Sequence, residues 1–124
     1  MSKPFIIMLM VFCHIIDDYC LQGILASMKQ RSWWIKNAPE KLYRNDYLMA
    51  LAMHGFSWAF MVMLPVAAYL NFDPSPNFYA MFLINWAFHS IIDHMKANIH
   101  IINLIQDQLL HIVQIGCTAW LLLR

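Results

Sequence analysis

The chain has 124 residues, of which 61% are hydrophobic and 12% charged, with a formal net charge of +1. Soluble domains average about 25% charged residues, and so short a chain cannot enclose this much apolar surface in water. The composition argues against a soluble globular domain, and the near-neutral balance argues against nucleic acid as a partner, which needs a basic face.

Four segments approach the ~20 residues needed to cross a ~30 Å hydrocarbon core, at about 4–28, 46–70, 77–97 and 103–123. The expected fold is all-α: a polytopic membrane protein built as an antiparallel four-helix transmembrane bundle in a single domain. Pro4 suits the first turn of the first helix, and Asp46, Asn77 and Asn103 read as N-terminal caps of the others. Pro65 is expected to kink the second helix. Cys13, Cys20 and Cys117 lie in apolar runs, and an odd number so placed predicts buried thiols. Lys3 is a minimal n-region, but no A-x-A site follows and Asp17 and Asp18 interrupt the apolar run, so no cleavable signal peptide is expected.

The first connection, about 29–45, interleaves Trp33, Trp34 and Tyr43 with Lys29, Arg31, Lys36, Lys41 and Arg44. This is the composition of an amphipathic segment lying at the headgroup level. It reads as a plain interfacial anchor or as a basic lip for an anionic headgroup or phosphate. By the positive-inside rule, these five cations and Lys96 mark the cytoplasmic side, while Lys3 and Arg124 fall on the other. Both termini are therefore expected to be non-cytoplasmic.

Each segment carries polar residues that are costly in lipid and usually face a bundle interior, where they mark a function. The first has His14, Asp18 and Gln22 in one i, i+4 stripe; the second has His54. The third has His89 and Asp93 followed by Lys96, and the fourth has Asp107 and His111. Residues four apart share a helix face, so three His–Asp pairs present both groups together. Counted inward from the cytoplasmic ends, Asp18, His54, His89 and His111 are about eight to ten residues deep, within ~3 Å of one another along the membrane normal. Asp93 and Asp107 fall about one turn nearer the cytoplasm, and His14 one turn deeper.

His14, Asp18, His54, His89, Asp93, Asp107 and His111 form the predicted metal-ligand set. Their N/O chemistry suits Zn²⁺, Mn²⁺ or Fe²⁺. Seven candidates exceed the ligands of one catalytic zinc, so two ions are expected, or one ion with the remaining carboxylates and histidines orienting its ligands. Asp18, Asp93, Asp107, Lys96 and Gln22 are the candidate catalytic residues: acids as ligands or general base, Lys96 for a substrate phosphate, Gln22 to orient a ligand or water. Asp17 lies about 100° around the helix from Asp18, so no role is carried onto it. His94 is turned away from the His89–Asp93 face, and His100 sits in a connection. Met8, Met10, Met61 and Met63 read as core filling and not as soft ligands.

Taken together, His14/Asp18/Tyr19/Leu21/Gln22, His54, His89/Asp93/Lys96 and Asp107/Gln108/His111 resemble a known pattern, H-x3-D-[FY]-x-L-Q, H, H-x3-D-x2-K and D-Q-x2-H. It is that of the prokaryotic and phage membrane proteins called domain of unknown function 3307. The resemblance spans nearly the whole chain. It implies a multi-pass protein of a bacterial inner membrane or phage-infected host membrane, with a metal-dependent activity of no known reaction.

The expected activity is metal-dependent hydrolysis, with a phosphorylated small molecule or lipid as substrate and membrane lipid as surroundings. Two other readings stand beside it. One is a small metal-ion or proton transporter, although the half nearest the termini offers little beyond Asn85 and Thr118 to line a path. The other is a phage-type homo-oligomer whose polar layer serves only assembly.

Overall fold

A computed structural model describes residues Met1–Arg124 and is helical throughout, without strands. In chain order the helices are α1 (Lys3–Ile16), α2 (Leu25–Met28), α3 (Arg31–Asn37), α4 (Asp46–Tyr69), α5 (Pro76–His94) and α6 (Leu104–Leu122). π-helical turns extend α1 over Asp17–Leu21 and α5 over Met95–Ile99.

The first apolar segment is not one helix to residue 28. It stops after Leu21, and Gly23, with φ of 55°, takes the left-handed conformation that only glycine adopts freely. The helix is broken there, α2 packs on α4, and Lys29 just after it lies buried against Asp93. α4 runs unbroken through Pro65. Pro76 opens α5 after Ser75, so Asn77 falls inside the first turn. At α6 the expected cap forms: the Asn103 side chain accepts from the Gln106 N–H, and the Gln106 side chain accepts from the Asn103 N–H.

α1 packs on α4 and α6, and α5 packs on α4 and α6. α4 and α5 approach closely at Gly55, where a Cβ would lie 2.1 Å from Ser90 Oγ. Toward the termini the interior is apolar, with Ile6, Met10, Val62, Met63, Val66 and Ile115 essentially inaccessible. The outer surface is apolar too, since Phe5, Phe12, Phe60, Leu83, Phe88 and Val113 are all exposed.

Two helical stretches, Lys3–Leu21 and Lys41–Tyr69, are long and apolar enough to cross a membrane, with mean hydropathies of 1.7 and 1.5. α5 and α6 have 19 residues each but fall short in hydropathy, lowered by groups such as Asn85, His89 and Asp93 in one and Asp107, His111 and Gln114 in the other. The cysteine expectation needs correcting: all three are free, yet Cys20 and Cys117 are exposed on the outer face and Cys13 is half-buried. An apolar neighbourhood in sequence predicts burial only when the interior lies inward, and here apolar side chains also cover the outside.

Candidate metal centre

The polar side chains of the four long helices meet near the ends that carry the 22–45 and 95–103 connections. His14, Asp17, His54, His89, Asp93, Asp107 and His111 are each 2% exposed or less. Burying so many ionisable groups is unfavourable unless they find partners or a cation.

The tightest convergence lies between α1, α4 and α5. His54 Nε2 lies 3.1 Å from His89 Nε2, 3.2 Å from Asp18 Oδ1 and 3.4 Å from Asp93 Oδ2. His89 Nε2 lies 3.7 Å from each of those oxygens. Nitrogen and oxygen ligands about 2.0–2.2 Å from a zinc ion stand about 3.3–3.6 Å apart along the edges of a tetrahedron. Asp18, His54 and His89 thus offer a three-atom face of the right size, with Asp93 beside it. Asp18 Oδ1 has no hydrogen-bond partner although it is buried. With His54 and His89 sharing a 3.1 Å hydrogen bond and Lys29 serving Asp93, Asp18 Oδ1 is left over; a cation among the three ligand atoms would engage them all, so the residues fit a divalent ion of the zinc class.

The far nitrogens are also provided for. His54 Nδ1 faces Asp17 Oδ2 at 3.5 Å, and the other oxygen of Asp17 accepts from Ser57 Oγ at 2.6 Å. His89 Nδ1 lies 3.3 Å from His111 Nδ1. His111 Nε2 in turn stands 3.5 Å from both Asp93 Oδ1 and Asp107 Oδ1. His89, Asp93 and His111 form a second group close enough to hold an ion.

His14 is brought to the same layer, but both its ring nitrogens are engaged. The Trp58 indole donates to Nδ1 at 2.7 Å, and Nε2 pairs with Gln108 Oε1 at 3.0 Å. His14 therefore offers no free ligand atom here. Gln22 turns its amide to the Asp18 carbonyl at 3.0 Å. His94 and His100 stay out of the cluster: the former stacks on Tyr47 at 6.0 Å, and the latter is exposed in the connection.

Two lysines close the cluster. Lys29 Nζ donates to Asp93 Oδ2 at 2.6 Å, and Lys96 Nζ donates to Asp107 Oδ2 at 2.7 Å. Both line a cavity of about 50 Å³ together with Asp18, Gln22, Asp93 and Gln108. The cavity reaches the cluster from the side of the connections. Separately, Arg31, Lys41 and Arg44 line a groove with Trp34 and Glu40.

Three participants, Asp17, Lys29 and Trp58, escaped the sequence reading, and Asn85 and Thr118 were seen without their pairing. Asp17 is wholly buried because, three residues after the buried His14, it flanks that face on the side opposite Asp18 and packs toward α4, where Ser57 and His54 meet it. Lys29, 7% exposed, belongs to the cluster and not to the headgroup layer. Trp58, besides donating to His14, stacks on His89 with ring centroids 4.2 Å apart. Asn85 and Thr118 bond to each other at 2.9 Å and are tied to Gln114, extending the polar interior beyond His111. Trp58 carried no signal apart from its type, since an aromatic residue in an apolar run ordinarily reads as core.

No protein-family model, no curated protein and no solved structure matches this chain.

Proposed function

We propose that this chain is a multi-pass membrane protein whose four long helices cross the bilayer as an antiparallel bundle, both termini non-cytoplasmic. Its buried His/Asp cluster is then the active site of a metal-dependent hydrolase. The membrane reading is supported by an inverted distribution: ionisable groups inside, large apolar side chains outside. A soluble protein buries the second kind and exposes the first. In lipid the distribution is natural, and buried ionisable groups there mark function.

The hydrolase reading rests on one observation, the unpartnered Asp18 Oδ1 aimed at His54 Nε2 and His89 Nε2 beside a polar cavity. A divalent cation held there would lower the pKa of a water molecule and polarise a substrate oxygen. Asp93 borders both the ligand face and the cavity, so it accepts the attacking water's proton while Lys29 holds its carboxylate in place. Lys96 and Gln22 line the same cavity and receive the oxygens of an anionic group. A phosphoester is the favoured substrate class, because Lys96 lines the cavity and the connection after α2 adds a groove lined by Arg31, Lys41 and Arg44. Kinship with domain of unknown function 3307 is kept as part of the proposal on the strength of the shared residue pattern.

The test is elemental analysis and phosphoester hydrolysis of detergent-purified protein. Wild type is expected to retain zinc, manganese or iron. His54→Ala is expected to lose it, and the His89→Ala/Asp93→Ala double variant to lose metal and hydrolysis together. Metal content and hydrolysis both unchanged in the double variant would end the proposal, and metal-free wild type would favour a structural layer in a homo-oligomer.

A conduit for protons or metal ions draws support from Asn85, Gln114 and Thr118, which carry polar groups past His111. Beyond them the interior closes on Ile6, Met10, Val66, Phe78, Ala119 and Leu123. That closure favours a blind site. Liposome flux through metal-free, hydrolytically dead protein would reverse the ranking.

A further inference from the structure

We infer that the centre takes a single divalent cation, on Asp18 Oδ1, His54 Nε2 and His89 Nε2, and that Asp17 and His111 are positioning residues that aim the two imidazoles at it. The inference rests on the metal-site reading above and goes beyond it in fixing the number of ions and removing His111 from the ligands.

A neutral imidazole has one N–H and one lone pair, so a ring that ligates through Nε2 carries its proton on Nδ1. For His54 that proton points at Asp17 Oδ2, 3.5 Å away and otherwise unpartnered; His54 Nδ1 likewise has no other partner. Two orphaned atoms face each other, and Ser57 fixes the carboxylate from behind at 2.6 Å. This is the carboxylate–histidine arrangement that holds a metal-binding ring in the correct tautomer.

For His89 the proton on Nδ1 points at His111 Nδ1, 3.3 Å away, which must then accept it. His111 consequently carries its own proton on Nε2, between Asp93 Oδ1 and Asp107 Oδ1. A cation on His111 Nε2 would need the opposite arrangement, with the proton on His111 Nδ1 and the lone pair on His89 Nδ1. His89 Nε2 would then carry a proton and lose its cation. The Nδ1–Nδ1 contact makes the two positions mutually exclusive.

On the same footing of neutral histidines, charge agrees with that count. Asp17, Asp18, Asp93 and Asp107 are four carboxylates, and Lys29 and Lys96 are the two ammonium groups paired with them. With neutral histidines two negative charges remain, and buried charge requires compensation. One divalent cation supplies it, whereas two would leave the layer as far positive as it began negative.

The experiment is a Co²⁺ titration of metal-stripped, detergent-purified protein, followed by visible absorption and elemental analysis. Wild type is expected to saturate at one equivalent per chain, with the intense absorption of a four-coordinate ion. Two equivalents would overturn this inference and leave the metal site standing; none would overturn the metal site itself. His111→Gln is expected to keep one equivalent and the same spectrum, with affinity lowered about 10- to 100-fold, the usual cost of losing an outer-shell partner. Complete loss of Co²⁺ from folded His111→Gln would make His111 a ligand and overturn the assignment. Asp17→Asn, nearly isosteric, is expected to show the same 10- to 100-fold weakening at unchanged stoichiometry, and unaltered affinity would remove Asp17 from its place. If either variant fails to fold, the wild-type stoichiometry still decides.

Discussion

The interior has two halves that share the same four helices and the same apolar outer surface, yet differ in almost every internal contact. Toward the connections, His54, His89, Asp18 and Asp93 lie within 3.7 Å of one or more of the others, and buried atoms such as Asp107 Oδ1 and His111 Nε2 have no hydrogen-bond partner. Toward the termini, Ile6, Met10, Val62 and Val66 are packed with no polar group among them. If polarity inside served only to hold helices together, satisfied pairs spread over both halves would do it more economically. Concentrating half-satisfied groups in one layer is a stability liability that the apolar half offsets by rigid packing. The two halves should therefore respond in opposite ways to mutation and to metal.

The largest contrast is expected at Lys29. Lys29→Met keeps most of the side-chain volume but leaves Asp93 buried without its 2.6 Å partner. Breaking a buried pair in this way costs about 3–5 kcal/mol, because an uncompensated charge remains. Thermal unfolding in detergent should show a large loss for metal-free protein and a smaller one when Zn²⁺ is present, since the cation compensates Asp93 from the other side. A metal-free loss below about 1 kcal/mol, the range of exposed pairs, would mean that bulk solvent screens Asp93 and that its pair with Lys29 is not a buried one.

In the apolar half, Ile6→Val removes one methylene from a fully buried side chain near the start of α1. The expected cost is about 0.5–1.5 kcal/mol, from lost contacts and the small cavity left behind. Cation affinity should not change, because distant sites with no shared partner behave additively. A concurrent fall in Co²⁺ affinity would show that the packed half sets the geometry of the other.

How far the centre can be read without coordinates depends on where the helical period holds. His54, His89, Asp93, Asp107 and His111 lie on uninterrupted stretches of α4, α5 and α6, so counting residues places the histidines at one level and the two acids about a turn away, and the structure does gather them. Asn103 with Gln106 is legible for the same reason, as a local pair at fixed spacing. The reading fails at Asp17 and where the period breaks. Asp17 was set aside for lying about 100° from Asp18, yet both flank the buried face of His14, at i+3 and i+4, and both turn inward. Gly23 breaks the helix, and beyond it Lys29, an apparent headgroup anchor, is the buried partner of Asp93. Asn85 and Thr118 were visible as isolated polar residues, but nothing in the spacing of one helix tells that α5 and α6 set them opposite each other.

The smallest effect is expected at that Asn85–Thr118 contact, and it bears most directly on where the two halves divide. Thr118 Oγ1 accepts from Asn85 Nδ2 at 2.9 Å and donates to the Gln114 carbonyl at 2.9 Å. Thr118→Val removes the hydroxyl at nearly constant volume, while Asn85 keeps its Gln114 donor and a 3.4 Å contact to Met63 Sδ. Interhelical hydrogen bonds of this kind inside membranes average about 0.6 kcal/mol, because the separated helices also find partners in lipid. A loss of that size, with Co²⁺ stoichiometry and affinity unchanged, would set the boundary of the functional layer at His111. A tenfold or larger loss of affinity would instead make Asn85, Gln114 and Thr118 part of one continuous polar column with the centre. The apolar closure around Ile6 and Val66 would then be the only thing separating a blind site from a path.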